Sequence, residues 1–117
     1  MTSRGLVNLE RFKQVVPHNA EGFAKIVDNY FDDTLERLAQ IERAVRSRSP
    51  QNVKILAHGA LGASRMLGLN GVAAPLQRLE ELASGGDLAG AETIVRRTRS
   101  TLKQTQVYLH QIQLDEA

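Results

Sequence analysis

The stretch LAHGALGASRMLGLNG, residues 56–71, decides the fold of this chain. Its apolar residues recur every three to four positions, which is the spacing of an amphipathic α-helix. Gly68 is placed to adopt the left-handed conformation that ends many helices. Gly59 and Gly62 lie inside the same helix, although a glycine there costs about 1 kcal/mol relative to alanine. Because both glycines lie beside His58, this face of the helix is a candidate functional site.

A helical wheel with about 100° per residue places His58 on the face opposite the apolar stripe of this helix. We therefore expect His58 to point outwards in mid-helix, where Gly59 and Gly62 leave space free of side chains. The predicted neighbours of His58 on that face are Lys54, Leu61, Gly62 and Arg65. The stripe that we expect in the core consists of Val53, Leu56, Ala60, Ala63 and Leu67.

Length and composition indicate one α-helical domain. The 117 residues are enough for a single domain with its own core, so we expect residues 1–117 to form one unit. The chain has no cysteine, which excludes disulfides and thiolate chemistry. The N-terminal segment MTSRGLVNLERF lacks the apolar part of a signal peptide, and no apolar run is long enough to span a membrane. We therefore expect a cytoplasmic protein.

The same periodicity predicts four long helices and a short N-terminal one. Asn19, Ser49 and Asp87 are suitable N-caps. The fourth helix can start at Asn70 or at Pro75, and only the start at Pro75 avoids the loss of a backbone hydrogen bond. Short connections make neighbouring helices antiparallel, so the predicted fold class is all-α, an up-down-up-down four-helix bundle with an extra N-terminal helix. The predicted helices cover residues 6–15, 20–48, 50–67, 75–84 and 88–112.

The surroundings of His58 favour phosphoryl chemistry over metal binding. Lys54 and Arg65 lie on its face, and an imidazole in open space near cations suits an anionic reaction partner. Histidine can form covalent phospho-intermediates, and phosphoryl transfer depends on positioning and charge neutralisation. The other histidines, His18 and His110, lie far away in the sequence, so no metal site is predicted. No nucleotide-binding motif occurs, so we expect no autophosphorylation from ATP.

The stretch AHGALGASRMLG, residues 57–68, resembles the motif of histidine-containing phosphotransfer (HPt) domains, which act in two-component phosphorelays. Their motif has the approximate form His-x-Leu-Lys-Gly, followed by small residues and a Leu-Gly pair. Residues 27–45 resemble the long helix before the motif in that family, and residues 76–102 resemble the two helices after it. The matching positions of the motif are Ala57, His58, Gly62, Ser64, Leu67 and Gly68.

The resemblance implies that Nε2 of His58 takes a phosphoryl group from an aspartate of one response-regulator receiver domain and passes it to another. It implies a monomeric phosphocarrier without kinase activity of its own, whose partners are receiver domains and a hybrid sensor histidine kinase. The receiver domain is then expected to supply the acidic pocket and Mg²⁺, so this chain needs no cofactor, and neither nucleic acid nor membrane is an expected partner.

The chain departs from the family motif at Leu61, where the family usually has lysine. We expect Lys54 or Arg65 to replace that lysine beside the phosphoryl group. Leu61 is then a candidate for an apolar docking patch. Tyr30 and Phe31 are candidates for the same patch, but they can instead be core residues. The candidate docking residues are Gly59, Leu61, Gly62, Tyr30 and Phe31.

Three other functions compete with a phosphotransfer domain. In the dimerisation hairpin of a sensor kinase, an acidic residue follows the histidine and a proline comes soon after, whereas here Gly59 follows and the next proline is Pro75. A non-catalytic helical adaptor that has lost relay activity is favoured by the missing lysine at Leu61. A nucleic-acid binder that uses RRTRS, residues 96–100, is disfavoured because no aromatic residues accompany the charges.

Overall fold

The structure, a computed structural model, describes residues 3–116 and the side chains of residues 5–112. Over this range the chain forms helices and no strand, which confirms the all-α prediction. Helices α3 to α6 are long, whereas α1 and α2 are short. The helices are α1 (Ser3–Leu6), α2 (Leu9–Val15), α3 (Ala20–Arg46), α4 (Pro50–Met66), α5 (Asn70–Ser84) and α6 (Ala91–Glu116).

The four long helices form a closed bundle. Helix α3 packs against α4, α4 against α5, α5 against α6, and α6 back against α3. The connections after α3 and α4 have three residues each and the connection after α5 has six, so consecutive helices run antiparallel. This arrangement agrees with the predicted four-helix bundle. The largest fully buried side chains include Phe12 of α2 and, within the bundle, Phe31, Leu38, Ile41, Leu76, Leu79, Leu102 and Leu109.

The ends of α3 and α4 follow the local sequence signals. The side chain of Asn19 accepts a hydrogen bond of 2.7 Å from the backbone N–H of Gly22, which confirms Asn19 as the N-cap of α3. Pro50 occupies the first position of α4, as predicted, but Ser49 makes no side-chain capping bond. Gly68 after α4 has φ +72°, which confirms its left-handed conformation. The signals at Asn19, Pro50 and Gly68 succeed because each acts within one helical turn.

Of the two possible starts of this helix, the structure shows the one at Asn70: α5 begins there, follows Leu69 as its cap and contains Pro75, so the start at Pro75 is wrong. The first turn is held by Leu69 and Val72, which are both fully buried. Burial of a large aliphatic side chain contributes about 1.5–3 kcal/mol, whereas a proline inside a helix costs about 3 kcal/mol. The two buried side chains therefore offset the cost of the proline, an effect that the sequence alone does not reveal.

The predicted N-terminal helix is interrupted at Asn8. Its side chain accepts a hydrogen bond of 3.1 Å from the backbone N–H of Arg11 and so caps α2. Its own backbone N–H donates to the carbonyl of Gly68 at 2.7 Å. The break is thus produced by contact with the connection between α4 and α5, which α1 and α2 cover.

The last helix begins later and ends later than predicted. Asp87 is not its N-cap, because the side chain accepts a hydrogen bond of 2.9 Å from the backbone N–H of Ala89 within a turn. Gly90, with φ +81°, follows this turn, and α6 starts at Ala91. The helix then continues to Glu116, beyond the predicted end at residue 112.

Buried polar groups fix the position of α3 against α4. The hydroxyl of Ser64 donates to the carbonyl of Ala60 at 2.8 Å, so the hydroxyl of Tyr30, 2.6 Å from Ser64 Oγ, must be the donor in that pair. Burial raises the pKa of Tyr30 to about 12, although hydrogen bonds with Ser64 and Thr34 act in the opposite direction. Tyr30 therefore stays neutral at physiological pH and holds the two helices in one register.

An ion pair joins α3 to α6 on the other side of the bundle. Arg99 donates to the carboxylate of Glu42, and Arg46 lies 3.9 Å from the same carboxylate. The hydrogen bond from Arg99 is the main reason why the pKa of Glu42 is lowered. Glu42 therefore remains charged in the folded protein near neutral pH.

Replacement of two glycines by alanine should have opposite effects on stability. Gly68→Ala should destabilise the fold by about 1–3 kcal/mol, the usual cost of a non-glycine residue in this conformation. An added Cβ would also lie 2.9 Å from the carbonyl oxygen of Asn8. Gly62→Ala should stabilise the fold by up to about 1 kcal/mol, because a Cβ there meets no atom within 4 Å. Urea unfolding followed by circular dichroism measures both changes, and equal effects would contradict the prediction.

Candidate functional site

His58 lies in the middle of α4 with its side chain 74% exposed, so the predicted outward orientation is confirmed. Its Nδ1 atom lies 2.8 Å from Oε1 of Glu80 on α5. A carboxylate can only accept a hydrogen bond, so we assign the ring proton of neutral His58 to Nδ1. This tautomer leaves the lone pair of Nε2 unprotonated and available to a reaction partner.

Glu80 is placed to stabilise positive charge on the ring of His58. When Nε2 forms a bond to an electrophile, the ring gains positive charge while Nδ1 keeps its proton. The carboxylate of Glu80 then faces an N–H of a cationic ring, and a hydrogen bond between charged groups is stronger than a neutral one. Sequence reasoning did not identify Glu80, because 22 residues separate it from His58 and only the register of α5 against α4 brings them together.

The two glycines beside His58 have different surroundings. A Cβ added at Gly62 would meet no atom within 4 Å, so this glycine leaves open space one turn after His58. A Cβ added at Gly59 would lie 2.6 Å from Nη1 of Arg37, a residue of α3. Gly62 therefore clears the approach to His58, whereas Gly59 makes room for an arginine side chain from the neighbouring helix.

Lys54 and Arg65, the two cations that were predicted to support a phosphoryl group, are both exposed. Among residues 5–112, only Arg65 of the two makes a side-chain hydrogen bond. Arg65 donates to the side-chain oxygen of Gln77 at 2.8 Å, and Gln77 in turn donates to Glu81 at 3.2 Å. Arg65 is therefore held against α5, on the same flank of α4 as Glu80. Lys54 lies one turn before His58 on α4.

Leu61 is 3% exposed and belongs to the core, so the prediction that it forms a docking patch is wrong. Helix α4 packs most extensively against α5, and the buried strip of α4 is turned towards that helix. Leu56 and Ala63, which were predicted in the core stripe, are only half-buried as a result. The position where the family usually has lysine thus carries a core residue.

Tyr30 and Phe31 are also buried, with 8% and 1% of their surfaces exposed. Their rings meet edge to face with centroids 5.1 Å apart, which is a favourable aromatic geometry. Both side chains therefore stabilise the core beneath the site. The predicted part in docking is wrong for Phe31, whereas Tyr30 also lines a groove between α3 and α4, so its part in docking stays a prediction.

Sequence reasoning missed several exposed apolar side chains on α3 and α4. Ile55 and Met66 of α4 are 59% and 60% exposed, and Ile26 of α3 is exposed as well. A groove of about 650 Å³ runs between the two helices, with Ile26 and Met66 in its lining and acidic side chains of α3 along its edge. We call Ile26, Ile55, Gly62 and Met66 the apolar flank. Ile55 and Met66 are apolar residues that fall outside the predicted core stripe, and this pattern was the sequence signal that could have revealed their exposure.

The described part of the chain offers neither a metal site nor a membrane-spanning helix. Among the side chains of residues 5–112, no group of three His, Asp or Glu residues is arranged to hold a metal ion. Among the helices of residues 3–116, none is long and apolar enough to cross a membrane.

Comparisons with known proteins identify the family. The profile of the Hpt domain family matches residues 25–113, so this chain belongs to that family, whose members are phosphotransfer proteins of two-component signalling. The crystal structure of histidine-containing phosphotransfer protein B (HptB) from Pseudomonas aeruginosa PAO1 superposes with a TM-score of 0.85. The two sequences are 19% identical over 97% of this chain and 98% of that one, a likeness that shows the shared fold. No curated protein sequence matches this chain.

Removal of Glu80 should change the tautomer of His58. In the wild type near neutral pH, long-range ¹H–¹⁵N NMR should show neutral His58 mainly with its proton on Nδ1. Glu80→Ala removes the acceptor, so the Nδ1–H fraction should fall. Glu81→Ala is the matched control, because Glu81 is a neighbouring carboxylate that bonds to Gln77 instead. An unchanged tautomer in Glu80→Ala would show that the hydrogen bond does not set the proton position.

Proposed function

We propose that this protein is a histidine phosphotransfer protein that shuttles a phosphoryl group between aspartates of response-regulator receiver domains through His58. The observation that carries this proposal is the exposed imidazole whose Nδ1 is bound to Glu80 at 2.8 Å. That bond orients the ring and directs the unprotonated Nε2 towards solvent. Membership of the Hpt family supports the same chemistry.

The proposed transfer is a displacement at phosphorus. The lone pair of Nε2 forms a bond to the phosphorus of an aspartyl phosphate, the phosphorus–oxygen bond breaks, and the aspartate leaves as a carboxylate. The proton stays on Nδ1, where Glu80 balances the charge of the ring. Attack by the carboxylate of a second receiver domain reverses the step and restores the neutral imidazole.

The proposed reaction needs further groups that partners supply. Phosphoryl transfer requires charge neutralisation at the phosphoryl oxygens, and we assign Mg²⁺ and the acidic pocket to the receiver domain. Lys54 and Arg65 add positive charge on the face of His58. We further propose that the protein acts as a cytoplasmic monomer without a cofactor, a kinase activity, a nucleic-acid partner or a membrane partner of its own. A hybrid sensor histidine kinase is the proposed source of the phosphoryl group.

We place the docking surface for receiver domains on the apolar flank. Ile26, Ile55 and Met66 are exposed apolar side chains, and Gly62 borders open space one turn after His58. A receiver domain needs such an opening to bring its aspartate to Nε2. The acidic residues Asp32, Asp33 and Glu36 border the adjoining groove. Apolar centres with a polar rim are typical of protein interfaces.

A helical adaptor without relay activity is the second candidate function. The specific observation in its favour is Leu61, a buried apolar residue at the position where the family usually has lysine. An adaptor would use the apolar flank to bind a partner but would not accept a phosphoryl group at His58.

Transfer of label from a phosphorylated receiver domain distinguishes the two functions. A panel of receiver domains phosphorylated with labelled acetyl phosphate should pass label to the wild type, and the label should be acid-labile and stable to base. His58→Gln should take up none, while His110→Gln, which changes another exposed histidine, should behave as the wild type does. Binding without labelling would establish the adaptor, and equal labelling of His58→Gln would exclude His58 as the acceptor.

Changes on the apolar flank should weaken receiver binding without unfolding the bundle. Met66→Glu and Gly62→Trp should each raise the dissociation constant at least about tenfold, because they place a charge or a bulky ring in the contact area. Val107→Glu on α6 is the control, since Val107 is exposed to a similar degree on another helix. Calorimetric titration measures the affinities, and circular dichroism checks the fold. Wild-type affinity in both flank variants would show that the docking surface lies elsewhere.

A further inference from the structure

We propose that Arg37 of α3 binds the phosphoryl group on His58 and supplies the positive charge that Leu61 cannot provide. This inference rests on the proposed phosphotransfer function. It names a residue from a different helix and adds to the roles proposed for Lys54 and Arg65.

The first support is the close approach of Arg37 to α4. A Cβ at Gly59 would lie 2.6 Å from Nη1, 3.3 Å from Cζ and 3.8 Å from Nη2 of Arg37. The guanidinium therefore lies against the backbone of Gly59, the residue next to His58. Any other amino acid at this position would force the guanidinium to move. This contact gives a physical reason for a glycine inside α4, where it costs about 1 kcal/mol.

The second support is the direction from which Arg37 approaches. Glu80 binds Nδ1 from α5, whereas Arg37 reaches α4 from α3, on the other flank of the helix. Glu80 and Arg37 thus reach the segment around His58 from the two different helices that pack against α4. A phosphoryl group on Nε2 is at the opposite end of the ring from Glu80, so the carboxylate does not compete for the same position.

The third support is the state of the guanidinium itself. Its Nε atom donates to Oδ2 of Asp33, one turn earlier on α3, at 3.3 Å. Among residues 5–112, this is the only hydrogen bond of the Arg37 side chain. Both Nη nitrogens can therefore still donate to phosphoryl oxygens. Arginine binds phosphate oxygens well because its donors form a planar fork.

Arg37 is better placed than the other cations for direct contact. Arg65 already donates to Gln77 on α5, which holds it away from the α3 side. Lys54 is exposed one turn before His58, and no hydrogen bond among residues 5–112 holds its side chain in place. We therefore assign the direct contact to Arg37 and a longer-range electrostatic effect to Lys54 and Arg65.

A measurement that needs no receiver domain tests this contact. Phosphoramidate can phosphorylate His58 chemically, and ³¹P NMR then follows the ionisation of the phosphoryl group with pH. A cation in direct contact favours the dianion, so Arg37→Ala should raise the phosphoryl pKa by about 0.5–1 unit, and Arg37→Lys should raise it less. Arg43→Ala, which removes an exposed arginine of the same helix, should leave the titration unchanged. An unchanged titration in Arg37→Ala would overturn the proposal.

A double-mutant cycle tests whether Gly59 acts through Arg37. Gly59→Ala should raise the phosphoryl pKa as Arg37→Ala does, because the added Cβ displaces the guanidinium. In the Arg37→Ala background, Gly59→Ala should then cause no further change. A shift that persists in that background would show that Gly59 acts independently, and the proposed contact would be wrong.

Transfer kinetics separate this inference from the proposed function. If the wild type accepts a phosphoryl group from a receiver domain, Arg37→Ala should slow that transfer about tenfold, a typical effect of losing one charge-assisted contact. Normal rates in Arg37→Ala beside an active wild type would reject the inference and leave the function intact. An inactive wild type would reject the function, while the titration of chemically phosphorylated protein would still decide the contact of Arg37.

Discussion

The burial of one side of α4 between α3 and α5 determines the orientation of His58. Ala57, Ala60 and Leu61 on that side are almost completely buried. A rotation of α4 that exposed Leu61 would cost about 1.5–3 kcal/mol and would also break the buried hydrogen bond to Ser64. The buried side of α4 must stay in the core, so His58, on the opposite side, faces solvent. The core of the bundle thus positions the site.

The two flanks of α4 provide different groups to His58. On the α5 side, Glu80 holds the protonated nitrogen of the ring. On the α3 side, the surface is apolar and open at Gly62, and Met66 is available to a partner. One flank therefore orients the ring of His58, and the other leaves the surface around Gly62 open. This separation is possible because α4 has both neighbours in the bundle and exposes only the face between them.

Gly59 and Gly62 both lie inside α4 close to His58, but their surroundings in the structure differ. Gly59 accommodates the guanidinium of Arg37, and Gly62 borders open space. Each lowers the helix propensity of α4 by about 1 kcal/mol, so the chain accepts a modest loss of stability at its site. Departures from local sequence rules are expected where function sets the residue, and both glycines fit that pattern.

The sequence by itself determined the all-α class, the long helices, the Asn19 cap and the exposure of His58. These features depend on hydrophobic periodicity and on contacts within one or two helical turns. Only the tertiary structure decided that Glu80 binds His58, that Leu61 is buried and that α5 continues through Pro75. The physical reason is that a helical wheel describes one helix, whereas these three features depend on how far a neighbouring helix is rotated and shifted against it. That arrangement is set by the packing of the whole core.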